Sequence, residues 1–175
     1  GNTTPHYGAA FLFVTYFMDR FGSEATQALV ADPQNGMPSV DNVLDMFSAT
    51  DPMTNEPIDA DEFFRDWTVT NLIHGSAVED GRYDYTSLPN FSGTTDYETI
   101  DDCVGELLTE DVKQYGVDYY RLSCSREVEL NFSGKQFTEL LPTGVNSGEF
   151  AFWSNKGDES DMRLTRQFDL TEVAA

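Results

Sequence analysis

The segment that most constrains this chain is its opening helix. From His6 to Phe21 apolar residues fall on nearly every face of a 3.6-residue repeat: Tyr7, Ala9, Ala10, Phe11, Leu12, Phe13, Val14, Tyr16, Phe17 and Met18. A helix apolar all round has to be enclosed by protein, so the sequence predicts a helical lobe built about it. Gly22 is a natural stop, and Ser23 offers an N-cap for a second helix running to about Val30, ended by Asp32-Pro33 and the Asn35-Gly36 turn. Ser39 caps a short third helix with Val40, Val43, Leu44 and Phe47 on one side. The fourth is the clearest. Asp59 and Glu62 form a capping-box start, Ala60, Phe63, Phe64 and Trp67 make an apolar stripe, and Gly75 follows the last turn.

Beyond Asp80 the composition shifts to turn residues and aromatics, as in Asp80-Gly81-Arg82-Tyr83-Asp84-Tyr85, and past Tyr115 the period becomes two. Val128, Leu130 and Phe132 alternate with Glu127, Glu129 and Asn131, the pattern of a half-buried strand. Further short strands are expected at Tyr119 to Leu122, Phe137 to Leu141, Glu149 to Ser154 and Leu164 to Leu170. Helices followed by strands give an α+β class. The expected organisation is a helical lobe of about four helices over 1–89, an extended connector over 90–116, and an incomplete antiparallel β-sandwich over 117–175. The strands that would close that sandwich are expected beyond Ala175, which leaves Leu164 to Leu170 as an edge.

Charge excludes several functions. With 31 Asp and Glu against 10 Lys and Arg, the formal charge is −21, and clustered cations for phosphate contacts are lacking, so no nucleic-acid partner is expected. Only three cations are lysines (Lys113, Lys135, Lys156), a bias that favours contact with divalent cations over anionic membranes. The longest apolar stretch, Tyr7 to Met18, is about twelve residues against the roughly 20 that a spanning helix needs, so no membrane span is expected. The first residues carry no export signal, and the abrupt opening into a helix suggests a piece of a longer protein whose export signal lies upstream or has been removed.

Few residues carry recognisable chemistry. Cys103 and Cys124 are the only cysteines; an even pair in an acidic, extracellular-looking chain is most simply a disulfide, and the alternative is two reduced buried thiols. Neither has a CxxC partner or a nearby histidine for structural zinc. His74 reads as a helix-end residue placed where the helix dipole favours a cation. Asp80 with Asp84, and Asp158, Glu159 and Asp161 in a Gly- and Asp-rich turn, are candidate calcium ligands, because calcium takes six to eight oxygens from loops that can converge. The alternative for these acids is a solvated face. No HExxH, GxSxG or phosphate-binding glycine loop occurs.

Three stretches carry a family resemblance. Pro5-His6-Tyr7-Gly8-Ala9-Ala10-Phe11-Leu12-Phe13, with Asp19-Arg20-Phe21-Gly22 after it, resembles the helix downstream of the zinc site in secreted metallopeptidases of the immune inhibitor A type. Phe64-Arg65-Asp66-Trp67-Thr68-Val69-Thr70-Asn71-Leu72 followed by Asp80-Gly81-Arg82-Tyr83-Asp84-Tyr85 is the second. The third, Phe150-Ala151-Phe152-Trp153-Ser154-Asn155-Lys156-Gly157-Asp158 on through Leu164-Thr165-Arg166, is similar to the opening of the jelly-roll domain that follows the peptidase domain.

The resemblance implies a zinc held by two histidines of HExxH and a later glutamate, all upstream of Gly1 and outside this chain, with the HExxH glutamate as general base. It also implies a secreted or cell-surface location, a protein or peptide substrate for the parent enzyme, and upstream and downstream segments of the same protein as partners. Gluzincin aminopeptidases open the corresponding helix with Tyr-x-x-Gly-Ala, whose tyrosine donates to the tetrahedral oxyanion. Here Pro5 stands at that position, and His6 and Tyr7 are the candidate oxyanion donors, displaced by one and two residues; the alternative makes them ordinary helix-start residues. The rival to a peptidase fragment is a noncatalytic acidic surface or assembly module on the same scaffold.

Overall fold

A computed structural model describes residues 4–74, 81–95, 97–101, 115–123, 128–134, 138–140, 151–153 and 161–168, with side chains from Tyr7 to Ser123. Helices precede strands in the described residues: α1 (Thr4–Ala31), α2 (Met37–Met46) and α3 (Ala60–Ile73), then β1 (Glu98–Ile100), β2 (Tyr120–Leu122), β3 (Val128–Gly134), β4 (Thr138–Leu140), β5 (Ala151–Trp153) and β6 (Asp161–Phe168). The chain divides into two compact units, Gly1–Gly93 and Thr94–Ala175.

In the first unit, the two helices expected on either side of Gly22 form one span with a kink at that residue. Gly22 has φ 82° and ψ 177°, a region that glycine alone enters without strain, so the chain changes direction without leaving the helix for more than one residue. The Thr26 hydroxyl donates to the freed Gly22 carbonyl at 2.8 Å. Three helices therefore stand where about four were expected. Ser39 is not a cap either. The N-cap position of α2 is Gly36, Pro38 occupies the first turn, and buried Ser39 lies inside the helix with its hydroxyl pointing to the Leu29 carbonyl at 3.5 Å.

The capping box of α3 forms as expected: Asp59 accepts from the Glu62 N–H at 2.8 Å, and Glu62 accepts from the Asp59 N–H at 3.4 Å. Phe63 lies at the middle of the core. Its ring centroid is 5.1 Å from Phe13, 5.2 Å from Tyr16, 5.3 Å from Phe17 and 5.6 Å from Phe21, so one α3 side chain locks four α1 rings in edge and stacked contacts. Val40, Val43 and Leu44 close the core from α2, and Tyr85 from the segment after α3. That segment ends at Gly93 (φ 72°), where a Cβ would sit 3.1 Å from the Asn71 carbonyl oxygen and 3.2 Å from that of Leu72. Only glycine lets the backbone approach α3 so closely.

The expectation of a helix enclosed on every face is corrected. Tyr16 and Phe17 are fully buried, yet Tyr7, Phe11, Val14 and Met18 are 75%, 59%, 42% and 40% exposed. Their spacing of four, three and four puts them on one stripe of α1.

In the second unit β1 pairs with β2 in parallel, Glu98 opposite Tyr120 and Ile100 opposite Leu122. The first strand thus falls within the span read as a connector, and the pairing of β2 is parallel where an antiparallel sandwich was expected. Arg121 stacks over the Tyr97 ring, 4.0 Å from its centroid, a contact that fixes this parallel pair from the side. β3 pairs antiparallel with β6, Val128 opposite Phe168 and Phe132 opposite Leu164, with a register shift between Phe132 and Gly134. β4 pairs antiparallel with β5, Thr138 opposite Trp153. These are three two-stranded sheets.

Candidate functional site

Helix α1 carries His6 and Tyr7 in its first turns. Tyr7 projects into solvent, and the His6 side chain lies outside the described residues. Asp80, Cys103, Cys124, Asp158 and Glu159 also lie outside them, and Asp161 opens β6 with its side chain undescribed. The expected disulfide and both candidate calcium clusters thus fall outside the described residues, Asp84 and the backbone of Asp161 excepted.

Asp84 meets His74. The imidazole Nδ1 is 3.1 Å from Asp84 Oδ1 and 3.3 Å from the Tyr85 backbone nitrogen. One ring nitrogen faces an acceptor and a donor, so it donates to the carboxylate when it carries a proton and accepts from the N–H when it does not. The ring packs against Tyr85 and Phe91, and the Tyr85 hydroxyl donates to Asn71 Oδ1 at 2.7 Å. His74 therefore ends α3 and pins the following segment to it.

The densest polar cluster is one that the sequence did not single out. Asp66 is fully buried on α3. Arg20 Nη1 donates to Asp66 Oδ2 at 3.2 Å and to the Tyr16 hydroxyl at 2.7 Å, while Arg65 Nε donates to Asp66 Oδ1 at 3.3 Å. Tyr16 in turn donates to the Arg82 carbonyl. Burial pushes the Tyr16 hydroxyl far above its ordinary value, against the pull of the Arg20 charge, so it stays a neutral donor. For Arg20 burial works against the charge but is outweighed by its contacts with Tyr16 and Asp66, and the guanidinium remains ionised. Arg20 Nη2 and Trp67 Nε1 are buried without a hydrogen-bond partner.

A second buried pair holds the loop between α2 and α3. Asp51 Oδ1 accepts from the N–H groups of Met53 and Thr54 at 2.8 and 3.0 Å, and Oδ2 accepts from Arg82 Nη1 at 3.0 Å. Burial alone would raise the Asp51 carboxyl; the two N–H donors and the Arg82 charge outweigh it and hold it below the usual carboxylate range.

A signal for these clusters was present. Arg20 follows Phe17-Met18-Asp19 and precedes Phe21, and Asp66 stands three residues after Phe63, both at spacings that belong to the core face. A charge at a core position has to be paired. Chemically the cluster can bind α1, α3 and the segment near Arg82 together, since each of its charges faces an opposite charge inside the same unit.

A catalytic zinc needs three protein ligands and an open position. Among the described residues no group of three His, Cys, Asp or Glu side chains is placed to hold a metal, and His74 is committed to Asp84 and Tyr85. The described donors do not make up that ligand set. Among the described residues no helix is long and apolar enough to cross a membrane. No protein-family model, curated protein or solved structure matches this chain.

Proposed function

We propose that this chain is part of a secreted or cell-surface zinc metalloendopeptidase: the helical lobe that borders the active-site cleft, joined to the first strands of a jelly-roll-like module. The zinc and its ligands belong to the upstream part of the parent, which hydrolyses peptide bonds in a protein or peptide substrate. The observation that carries the reading is the outward stripe of α1. The stretch Pro5 to Phe13, which bears the family resemblance, places Tyr7 at the exposed start of a helix whose Phe11, Val14 and Met18 also face out. Such a face suits a helix that further protein covers, with Tyr7 and His6 at the cleft end as oxyanion donors.

The antiparallel pairs β3 with β6 and β4 with β5 support reading the second unit as part of an antiparallel sandwich. Calcium at the acidic turn Asp158, Glu159 and Asp161, or at Asp80 and Asp84, belongs to the same proposal. The test uses the chain with and without its upstream segment. Residues 1–175 alone should bind no stoichiometric zinc and cleave no casein. The longer protein should do both, and Tyr7→Phe or His6→Ala in it should lower kcat about 10²-fold with little change in KM. An upstream sequence without HExxH, or an export signal directly before Asn2, refutes the reading. The surface charge favours a second one, a noncatalytic acidic surface or assembly module; the same upstream sequence separates the two.

A further inference from the structure

The first unit contains fourteen Asp and Glu, three Arg and no Lys, a formal charge of −11. All three arginines are spent inside it. Arg20 pairs with Asp66 at 3.2 Å, Arg65 with Asp66 at 3.3 Å and Glu62 at 3.5 Å, and Arg82 with Asp51 at 3.0 Å. Their side chains are 9%, 14% and 7% exposed. What the unit offers water is therefore carboxylate without interspersed cations, with Glu24, Asp45, Glu56 and Asp59 exposed.

We infer that this unit is built to fold in molar salt, its surface a polyanion whose partners are hydrated monovalent cations. On a helix, residues three or four apart lie about 5–6 Å from each other, and Asp41 with Asp45 makes such a like-charge pair on α2. The screening length is about 8 Å at 0.15 M ionic strength and about 3 Å at 1 M. Near 1 M it becomes shorter than the spacing of these carboxylates, whereas in dilute salt each still feels its neighbours. Ordinary surfaces relieve such repulsion with interleaved Lys and Arg; here those cations lie in the core, so mobile ions have to supply the relief. The inference is independent of the peptidase reading.

The experiment follows the far-ultraviolet circular dichroism of the full 175-residue chain between about 0.05 and 3 M KCl, and again in NaCl. The expected result is little helix at the low end and a cooperative gain with a midpoint on the order of 1 M, alike in both salts. In the variant E24Q/D45N/E56Q the charge of the unit falls from −11 to −8. Self-repulsion scales with the square of charge, so it drops to about half and the midpoint should fall about two-fold. Full helix content at 0.05 M overturns the inference, as does a chain that stays unfolded through 3 M. A midpoint unmoved in the triple variant also overturns it, because the salt effect then belongs to strengthened apolar burial.

Discussion

Replacing Asp66 by Asn tests whether the buried cluster holds α1 to α3. At about 3.2 Å and an effective dielectric near 20, each Asp66–Arg contact carries roughly 5 kcal/mol of gross attraction, most of it offset by the cost of taking the ions out of water. The variant keeps that cost for Arg20 and removes the charge that compensated it. It also turns an amide N–H₂ toward one guanidinium, donor against donor. The expected loss is about 3–5 kcal/mol, the range found when one partner of a buried pair is deleted. A unit of this size holds about 5–14 kcal/mol in all, so the variant should unfold at a much lower urea concentration.

Arg20→Met should cost less, about 1–2 kcal/mol, because Asp66 keeps Arg65 and the unpartnered Arg20 Nη2 no longer has to be buried. Combining Asp66→Asn with Arg20→Met should cost at least about 2 kcal/mol less than the sum of the two single changes. Urea unfolding in 2 M KCl, read by circular dichroism, measures all four proteins. A loss under about 1 kcal/mol for Asp66→Asn, or strict additivity in the cycle, would show that the cluster is incidental to the fold.

Asp51, depressed in the folded state, contributes stability that is complete above the ordinary carboxylate value of about 3.9 and is lost as pH falls through its lower folded value. Asp51→Asn should flatten the acid limb of stability below about pH 4 while leaving its shape near pH 7 unchanged, as thermal melts across that range would show. At Gly22, φ 82° makes Ala cost about 1–3 kcal/mol, whereas Gly8→Ala, in regular exposed helix with nothing within 4 Å of the new Cβ, should gain about 0.5–1 kcal/mol. Opposite signs for the same substitution at two positions of one helix would be hard to obtain from anything but backbone conformation. If Cys103 and Cys124 pair, the intact mass is about 2 Da lower without reductant, one unit for each hydrogen lost on oxidation; two thiols alkylated in the unreduced native protein refute the pairing.

The local chemistry of the helices was legible where it is self-contained. The capping box at Asp59 and Glu62 needs only four consecutive residues, and the apolar spacing of Ala60, Phe63 and Phe64 reports the face that is buried. Gly22 announced a break, but the sequence could not say that the helix resumes at once after a single residue. Ser39 misled because a serine before an apolar run is a cap only if the helix begins after it, and Pro38 starts α2 earlier. The exposed stripe of α1 was invisible because apolar residues on all faces say that burial is wanted, not which neighbour provides it. The parallel pairing of β1 with β2 was missed for a different reason: three-residue strands 20 residues apart leave no period to read, and their register depends on contacts distant in sequence. The Arg20 and Asp66 pair was readable in principle, since each is a charge at a core spacing, but only their joint placement in three dimensions identifies them as partners.

The allocation of cations ties these observations together. A unit with three arginines could have used them at the surface to offset its fourteen acids; it uses them inside, where Arg20 Nη1 serves Tyr16 and Asp66 at once. No lysine occurs before Lys113. The charge left at the surface of the unit is thereby anionic, and the first turns of one element carry none of it. From Gly1 to Met18 the chain has no Asp, Glu, Lys or Arg, and it is on this stretch that Tyr7, Phe11, Val14 and Met18 face outward. A neighbouring protein segment meets carboxylate repulsion over the rest of the unit but not there. Under the peptidase reading that neutral stripe is where the upstream lobe meets the helix, and under the module reading it remains an apolar stripe on an acidic surface. The two readings share the same core and the same charge, and they part at α1.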